Sequence, residues 1–298
     1  MAQLRPSGRK TVAGYRHDLR PSQSIRPRIV AGMRRTRIFR YIGVMTWNPT
    51  NTLKFAGPRL QPGLDLITRL PDIAARRIVD LGCGTGALAA QLAERWPRAA
   101  VTGLDRDRNA LREARATHPD LDWVEGDIAD WAPQEPVDLI FSNAALQWLE
   151  GHEALVPRLL SFLAPGGVLA VQMPRNFDAP SHVLMRALAS EAPWAGRIPL
   201  RRPPVGTPAA YYDLLAPRTA ALDIWETEYL HVLKGDNPVL HWVRGTALLP
   251  VMAALSGPEL DAFIATYAAR LAQAYPPQPD GSTLFPFRRL LLLARVGA

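Results

Sequence analysis

The stretch Ile78-Val79-Asp80-Leu81-Gly82-Cys83-Gly84-Thr85-Gly86, with the helical pattern behind it, decides the fold of this 298-residue chain. A short apolar run contains an acidic residue, glycines follow at alternate positions, and apolar residues then recur at helical spacing. This order predicts a strand, a tight turn and the start of a helix. Because glycine permits positive φ and a helix start offers free N–H groups, the turn is predicted to bind a ligand.

Two details of the turn indicate which ligand it binds. Similar glycine turns bind dinucleotide pyrophosphates, but the spacing here is G-x-G-x-G rather than G-x-G-x-x-G. Asp80 also lies directly before the loop, where a carboxylate would repel a pyrophosphate and suit a cationic amino acid. S-adenosylmethionine carries an ammonium and a sulfonium group and no phosphate. It is therefore the predicted cofactor, in preference to a purely structural glycine turn.

Strand and helix patterns alternate on both sides of this turn. A first helix is predicted to end at Pro71, and a turn is predicted over 164–167. The predicted strands span 77–81, 99–105, 121–125, 137–142 and 168–173, and the predicted helices span 87–95, 107–116 and 153–163. This alternation predicts an α/β fold with a parallel sheet covered on both faces. Ligands of such folds bind at the carboxyl ends of the strands.

Two later acidic residues fit the same cofactor. Asp105 ends the second strand nineteen positions after Gly86, where a carboxylate can bind both hydroxyls of a ribose. Asp127 follows the third strand and is placed to accept from an adenine amino group, while Ile128 can pack on the ring. Taken alone, each aspartate would more often be a turn or cap residue. Their joint spacing behind the glycine loop favours cofactor binding.

The pattern changes after Met173. Helical pieces broken by prolines run to Pro217, a strand is predicted over 221–233, helices return over 236–283, and an apolar strand closes the chain at 289–296. Two strands about fifty residues apart do not form a simple hairpin, so the helices between them are expected to form a cap. The predicted cap comprises about 176–217 and 236–283.

The net charge of +8 arises entirely from the N-terminus, which carries +10. Residues 1–44 hold eleven basic residues and one acidic residue, so the rest of the chain carries a net charge of −2. Their composition predicts a disordered leader. It could be a nucleic-acid or membrane-surface tail or a transit peptide, but upstream sequence before a true start at Met45 is favoured.

The cysteine content and the hydrophobic pattern also indicate the cellular location. Cys83 is the single cysteine, so a disulfide framework is excluded and a cysteine-based metal site is not expected. A reducing, cytoplasmic location is predicted. No apolar run is long enough to predict a transmembrane helix, and no secretory signal pattern is present.

The motifs together resemble the class I S-adenosylmethionine-dependent methyltransferases, which implies a Rossmann-like, doubly wound seven-stranded sheet with a helical cap. Within that superfamily, the chain from Trp47 to Val296 resembles the trans-aconitate 2-methyltransferase family. The stretches that carry this resemblance are Trp47-Asn48-Pro49, Asn143-Ala144-Ala145-Leu146-Gln147-Trp148-Leu149, Val168-Leu169-Ala170-Val171-Gln172-Met173-Pro174, His182-Val183-Leu184-Met185-Arg186, Tyr211-Tyr212-Asp213, Asp223-Ile224-Trp225, Trp242-Val243 and Phe287-Arg288-Arg289-Leu290. The sequence departs from the family pattern at Thr52, where a tyrosine is usual.

The resemblance implies transfer of a methyl group from S-adenosylmethionine to a carboxylate oxygen of trans-aconitate or a related small polycarboxylate. A carboxylic acid is already ionised at neutral pH, so no general base is required. The cofactor-binding candidates are Trp47, Asp80, Gly82, Cys83, Gly84, Gly86, Asp105, Asp127, Ile128 and Asn143. The catalytic candidates are Gln147, Trp148, Gln172 and His182. The substrate-binding candidates are Arg175, Arg186, Tyr211, Tyr212 and His231, within a wider set that includes Arg201, Arg202, Arg288 and Arg289.

Three other functions stay open at this point. The substrate could be another acid, such as a carrier-bound dicarboxylate, although the net charge of −2 argues mildly against a basic docking patch. The protein could instead bind the cofactor as a non-catalytic assembly partner. A nucleic-acid modification guided by the basic leader is the third. The favoured partner is a small polycarboxylate, with no nucleic acid, membrane or metal expected.

Overall fold

A computed structural model of the protein describes residues 56–200 and 205–298, so the leader 1–44, Trp47 and Thr52 lie outside the described residues. Seven strands form one sheet in the order β3-β2-β1-β4-β5-β7-β6. The strands are β1 (Arg77–Leu81), β2 (Ala100–Asp105), β3 (Asp122–Glu125), β4 (Val137–Asn143), β5 (Leu163–Pro174), β6 (Ala221–Leu233) and β7 (Thr283–Arg295). Strands β1 to β5 pair in parallel, whereas β7 is antiparallel to both of its neighbours. This confirms the predicted Rossmann-like sheet.

Helices cover both faces of the sheet. They are α1 (Ala56–Arg69), α2 (Ala87–Arg95), α3 (Arg108–Thr117), α4 (His152–Leu160), α5 (Pro180–Ala189), α6 (Pro208–Leu215), α7 (Pro238–Arg244), α8 (Leu249–Ala254) and α9 (Gly257–Ala274). On one face, α1 and α2 pack against inward residues such as Ile78 and Phe141. On the other, α4 and α6 pack against Leu81 and Ile140. Because helices cover both faces, four of the five residues of β1 are buried.

The structure differs from the sequence prediction at two strands. The turn predicted over 164–167 lies within β5, where Gly166 has a φ of 74° and the register with β4 shifts between Val137 and Leu139. Between the pairs at these two residues, β5 advances five residues and β4 only two, so the predicted turn forms an irregular insertion within β5. Strand β7 begins at Thr283, six residues before the predicted start, because β6 pairs with it along its whole length.

The outer ends of β6 and β7 extend beyond the rest of the sheet. The pairs from Tyr229↔Phe287 to Leu233↔Thr283 have no counterpart on β5, which pairs with β7 only from Arg289 onward. We call residues 229–233 and 283–287 the ribbon. Helices α5, α7, α8 and α9 pack around it in a hydrophobic cluster, the ribbon cluster, that includes Trp242. None of the described helices is long and apolar enough to cross a membrane.

Candidate active site

The glycine loop after β1 depends on glycine for two different reasons. Gly82, Gly84 and Gly86 all have positive φ, of 77°, 55° and 85°. A Cβ at Gly82 would lie 2.2 Å from Cβ of Ala145, and one at Gly86 would lie 2.2 Å from the ring of Trp123. A Cβ at Gly84 would meet no described atom within 4 Å. Tight packing therefore surrounds the two outer glycines, while the middle of the loop borders open space.

Asp80 is buried beside this loop with only 2% of its surface exposed. Its Oδ2 atom has no hydrogen-bond partner among the described residues. Burial, and secondarily the negative charge of Asp105, raise the pKa of Asp80 to about 8. Burial likewise raises the pKa of the Cys83 thiol, which stays protonated. A cation placed beside Asp80 would favour its ionised form.

Asp105 holds the loop from the end of β2. Its Oδ2 accepts a hydrogen bond from the backbone N–H of Gly84 at 2.8 Å, and its Oδ1 accepts one from Asp107 at 2.9 Å. Each carboxylate oxygen can accept a further hydrogen bond, so the group can still bind hydroxyls. The structure thus places Asp105, the residue predicted to bind the ribose, against the glycine loop.

Asp127 and Ile128 follow β3. The Asp127 side chain is exposed, and its Oδ1 accepts from the backbone N–H of Ala129 at 2.9 Å. Ile128 is 9% exposed, and its carbonyl accepts from Arg158 at 2.8 Å. The segment is therefore fixed at the same edge of the sheet as the glycine loop.

A row of unpartnered polar atoms runs along this carboxyl edge of the sheet. Within residues 56–200 and 205–298, seven buried side-chain N or O atoms have no hydrogen-bond partner, and six belong to this edge or to the ribbon that extends it. They are Asp80 Oδ2, Asn143 Oδ1, Gln147 Oε1, Gln172 Nε2, Arg289 Nε and His231 Nε2. Buried polar atoms in folded proteins are nearly always satisfied, so such a concentration indicates a ligand site.

Neighbouring strands bring Asn143 and Gln172 side by side. The two residues are register partners on β4 and β5. Helix α1 crosses close to them, since a Cβ on Gly63 would lie 3.1 Å from Cγ of Asn143. Gln147 lies in a 3₁₀ turn at Leu146–Trp148. Its Nε2 donates a hydrogen bond to the carbonyl of Ala144 at 2.6 Å. The half-buried Trp148 lies in the same turn.

Arg289 completes the row on β7. It is 3% exposed, and its Nη1 donates to Oε1 of Gln172 at 3.4 Å. Strand alternation places Arg289 on the same face as Leu291, the register partner of Gln172. Sequence reasoning included Arg289 only in a wide set of cations. The available signal was its spacing on β7, but that required the pairing of β7 with β5.

His231 lies on the ribbon beyond β5. Its ring stacks on Trp242 with centroids 4.5 Å apart. Burial, and then the positive charges of Arg289 and Arg59, lower the pKa of His231 to about 4. The imidazole is therefore neutral at pH 7.

Several predicted site residues are engaged elsewhere. Arg175 pairs with Glu226 at 3.2 Å, and Arg186 donates to the carbonyl of Phe177 at 2.7 Å. Tyr212 is 59% exposed. His182 lies on α5, where its ring contacts Phe177 and its Nδ1 lies 3.2 Å from Oγ of Ser181.

Tyr211, a predicted substrate-binding residue, does not lie near the other candidates. It lies in the cluster on the opposite face of the sheet, where its hydroxyl is 2.5 Å from Nδ1 of His152. The other ring nitrogen of His152 is 2.9 Å from the carbonyl of Leu146. Tyr211 thus supports the 3₁₀ turn from behind and is not brought to the row of unpartnered atoms.

The strand order, the glycine loop and the acids at the end of β2 and after β3 together define a class I S-adenosylmethionine-dependent methyltransferase. Residues 78–167 match the family model described as a methyltransferase domain. The crystal structure of the YcgJ protein from Bacillus subtilis has the same fold, with a TM-score of 0.52 at 14% identity over 79% of this chain and 97% of that one.

Relatives with much higher identity narrow the class. The trans-aconitate 2-methyltransferase of Azoarcus sp. strain BH72 is 48% identical over 251 residues, covering 84% of this chain and 98% of the relative. That of Streptomyces avermitilis is 46% identical over 262 residues, covering 84% and 97%. The chain belongs to the trans-aconitate 2-methyltransferase family.

Proposed function

We propose that the protein transfers the methyl group of S-adenosylmethionine to a carboxylate oxygen of trans-aconitate or a closely related small polycarboxylate. The products are a methyl ester and S-adenosylhomocysteine. The row of unpartnered buried atoms carries this proposal. The carboxyl group of Asp80 lies at the end beside the glycine loop, the side-chain amides follow, and the guanidinium of Arg289 lies on the far side of the amides. The names of the relatives supply the candidate acid.

The residues at the glycine-loop end fit the cofactor. Asp80 has an unpartnered carboxyl oxygen for its ammonium group, and the space over Gly84 is open on the described side. Asp105 would bind the ribose, Asp127 and Ile128 the adenine, and Asn143 the methionine end. Trp47, outside the described residues, stays a proposed contact. When bound, S-adenosylmethionine supplies an electrophilic methyl carbon and a neutral thioether leaving group.

The chemistry asks the protein for alignment rather than proton transfer. The attacking carboxylate is ionised at neutral pH, and its attack neutralises both the carboxylate and the sulfonium charge. Burial lowers the pKa of His182 and that of His231 to about 4, so both imidazoles are weak bases, which is no obstacle because the reaction removes no proton. Catalysis then comes from holding the two groups at near-attack distance and excluding water.

Gln172 is the best supported of the proposed catalytic residues. It is fully buried, lies next to Asn143 and keeps its Nε2 unpartnered. Gln147 and Trp148 lie at the same edge on the 3₁₀ turn, and Gln147 keeps an unpartnered oxygen. We propose that Gln147 and Gln172 position the substrate carboxylate, with Trp148 and His182 bordering the pocket.

The ribbon cluster is proposed as the cap that excludes water. Helices α5, α7, α8 and α9 surround the ribbon next to His231. The domain from residue 45 to 298 would then bind cofactor at the glycine loop and substrate under the cap. The substrate is a small molecule rather than a macromolecule, and the single cysteine leads us to propose the cytoplasm as the location.

The test is methyl transfer from labelled S-adenosylmethionine by the full chain. The acids offered are trans-aconitate, cis-aconitate, isocitrate and citrate, and the product is analysed for a base-labile ester. We expect transfer to trans-aconitate. Cofactor binding without transfer to any of the four acids would overturn the substrate assignment and favour another acid or a binding role.

A matched pair of variants tests the site. Gln172→Met removes the buried amide at similar volume, and loss of its hydrogen bonds should lower kcat/KM for trans-aconitate about tenfold or more. Gln91→Met is the control, because its amide bonds only Glu94 on α2. Both variants should bind S-adenosylhomocysteine like the unmodified protein. Equal turnover by the two variants would remove Gln172 from the site.

A further inference from the structure

Arg289 carries a buried positive charge that no described carboxylate neutralises. It is 3% exposed, forms none of the ion pairs found within the described residues, and its Nε has no hydrogen-bond partner. The neutral amide of Gln172 accepts from Nη1 at a long 3.4 Å. Burying a charge without a counter-ion is costly, so the fold keeps this group at a price in stability.

The surroundings of Arg289 fix its guanidinium without satisfying it. The group lies 4.6 Å from the ring centroid of Phe287 and 5.7 Å from that of Tyr229. Burial lowers its pKa to about 10, so it remains charged at neutral pH. Arg59 on α1 adds a second positive charge, which acts on both Arg289 and His231. Two positive charges therefore act at this part of the site, where the Asp65 carboxylate accepts a hydrogen bond from the Tyr229 hydroxyl at 2.6 Å.

We propose that Arg289 binds a non-reacting carboxylate of the substrate and thereby makes the enzyme selective for polycarboxylates. The inference deepens the function proposed above and rests on it. Arginine binds carboxylates through two parallel N–H donors, and the unpartnered Nε is one such donor. Gln172 can orient Arg289 and bind the substrate at the same time. Its Oε1 accepts from Arg289, and its unpartnered Nε2 is available to the substrate.

The spacing of the strands is consistent with this division of the site. Asp80 on β1 is level with Leu293 on β7, so Arg289 lies three strand intervals away across the sheet, about 14 Å, and four residues further along β7, about 13 Å. The cofactor's amino-acid part would start at Asp80, and a small polycarboxylate would extend from the methyl group toward Arg289. His231, one ribbon position beyond Tyr229 on the same face, offers a further unpartnered nitrogen there.

The first experiment measures binding without turnover. Calorimetry gives the Kd of trans-aconitate for the full chain saturated with S-adenosylhomocysteine, which has no methyl group to transfer. Arg289→Gln and Arg289→Lys should weaken this binding about 10- to 100-fold, the loss expected for a charge-assisted hydrogen-bond pair. Arg295→Gln is the matched control, because Arg295 lies exposed at the other end of β7 and donates to the carbonyl of Gly166 at 3.1 Å.

Kinetics measure selectivity. In Arg289→Gln, kcat/KM for trans-aconitate should fall about 10- to 100-fold, as the binding affinity does. The kcat/KM for the monocarboxylate crotonate should change less than about threefold. The affinity for S-adenosylhomocysteine reports whether each variant has folded. Gln172→Glu provides a second route: it gives Arg289 an internal carboxylate, and should raise the unfolding temperature while weakening trans-aconitate binding at least tenfold.

The outcomes separate the inference from the proposed function. Unchanged trans-aconitate affinity in Arg289→Gln or in Gln172→Glu overturns the role of Arg289 and leaves methyl transfer standing. Tricarballylate binding that depends on Arg289, without methyl transfer to trans-aconitate, overturns the proposed substrate and supports the carboxylate site. Absence of binding by every tricarboxylate to the unmodified protein overturns both.

Discussion

The carboxyl group of Asp80 is buried with one oxygen unpartnered, so its charge state depends on whether a cation is bound beside it. Asp80→Asn keeps the shape of the side chain and removes the charge. We expect the affinity for S-adenosylmethionine to fall about 10- to 100-fold, because a charge-assisted hydrogen bond is lost. Calorimetric Kd values for Asp80→Asn and for the exposed control Asp122→Asn check this. Equal affinity in both would place the ammonium group elsewhere.

The same residue predicts a pH dependence of stability in the ligand-free protein. Its pKa rises from 3.8 to about 8 on folding, so the folded state holds a proton that the unfolded chain releases. The resulting stabilisation is complete below pH 3.8 and is lost as pH rises toward 8, at about 1.4 kcal/mol per pH unit. Above pH 8 the contribution is absent.

Urea unfolding between pH 5.5 and 7.5 measures this effect. The free energy of unfolding of the unmodified protein should fall with pH relative to that of Asp80→Asn, in which the group does not titrate. Parallel pH profiles for the two proteins would show that Asp80 is ionised in the ligand-free fold.

At the scale of elements, the cost of backbone strain can be distinguished from that of steric overlap by comparing two glycines that precede helices. Gly86 and Gly151 both have positive φ and both precede a helix, but a Cβ would overlap the Trp123 ring only at Gly86. Gly151→Ala should cost about 1–2 kcal/mol of unfolding free energy through backbone strain alone. Gly86→Ala should cost clearly more. Urea denaturation measures both, and equal losses would mean that the Trp123 ring moves aside freely.

The elements also show what a single sequence can predict. Helix α2 and strand β6 have the predicted bounds, because a glycine turn and a period-two pattern are local signals. The start of β5 at Leu163, before the turn, and the early start of β7 were missed, since both depend on pairing with another strand.

The site divides in the same way. Sequence spacing alone predicted Asp80, near the end of β1, and Asp105, at the end of the neighbouring strand β2, as site residues. The surroundings of Arg289 and Tyr211 could not be predicted, because the partner of each side chain is set by tertiary structure. Gln172 approaches Arg289 from the neighbouring strand, and His152 holds Tyr211 on the other face of the sheet.

At the scale of the whole molecule, cofactor and substrate are expected to respond to different parts of the core. Trp242 is a buried member of the ribbon cluster and stacks on His231. Trp242→Leu should raise KM for trans-aconitate several-fold while the affinity for S-adenosylhomocysteine stays unchanged, because the glycine loop contacts other clusters.

Phe263→Leu is the control for that variant. Phe263 is fully buried in the same cluster but contacts Trp194 and Tyr267 rather than His231. Both variants should lose stability through the cavity they create. Steady-state kinetics on trans-aconitate distinguish them, and an equal rise in KM would mean that the cluster acts only through global stability.

The ribbon has a consequence for how such an enzyme can diversify. Its five residue pairs, from Tyr229↔Phe287 to Leu233↔Thr283, share no register with β5, so new side chains there leave the ladders of the five parallel strands intact. New acid specificities can therefore be sought by changing ribbon side chains near His231 while Arg289 and the strands that hold the glycine loop stay unaltered. A library randomised at the inward-facing positions of the ribbon measures how far the choice of acid changes in this way.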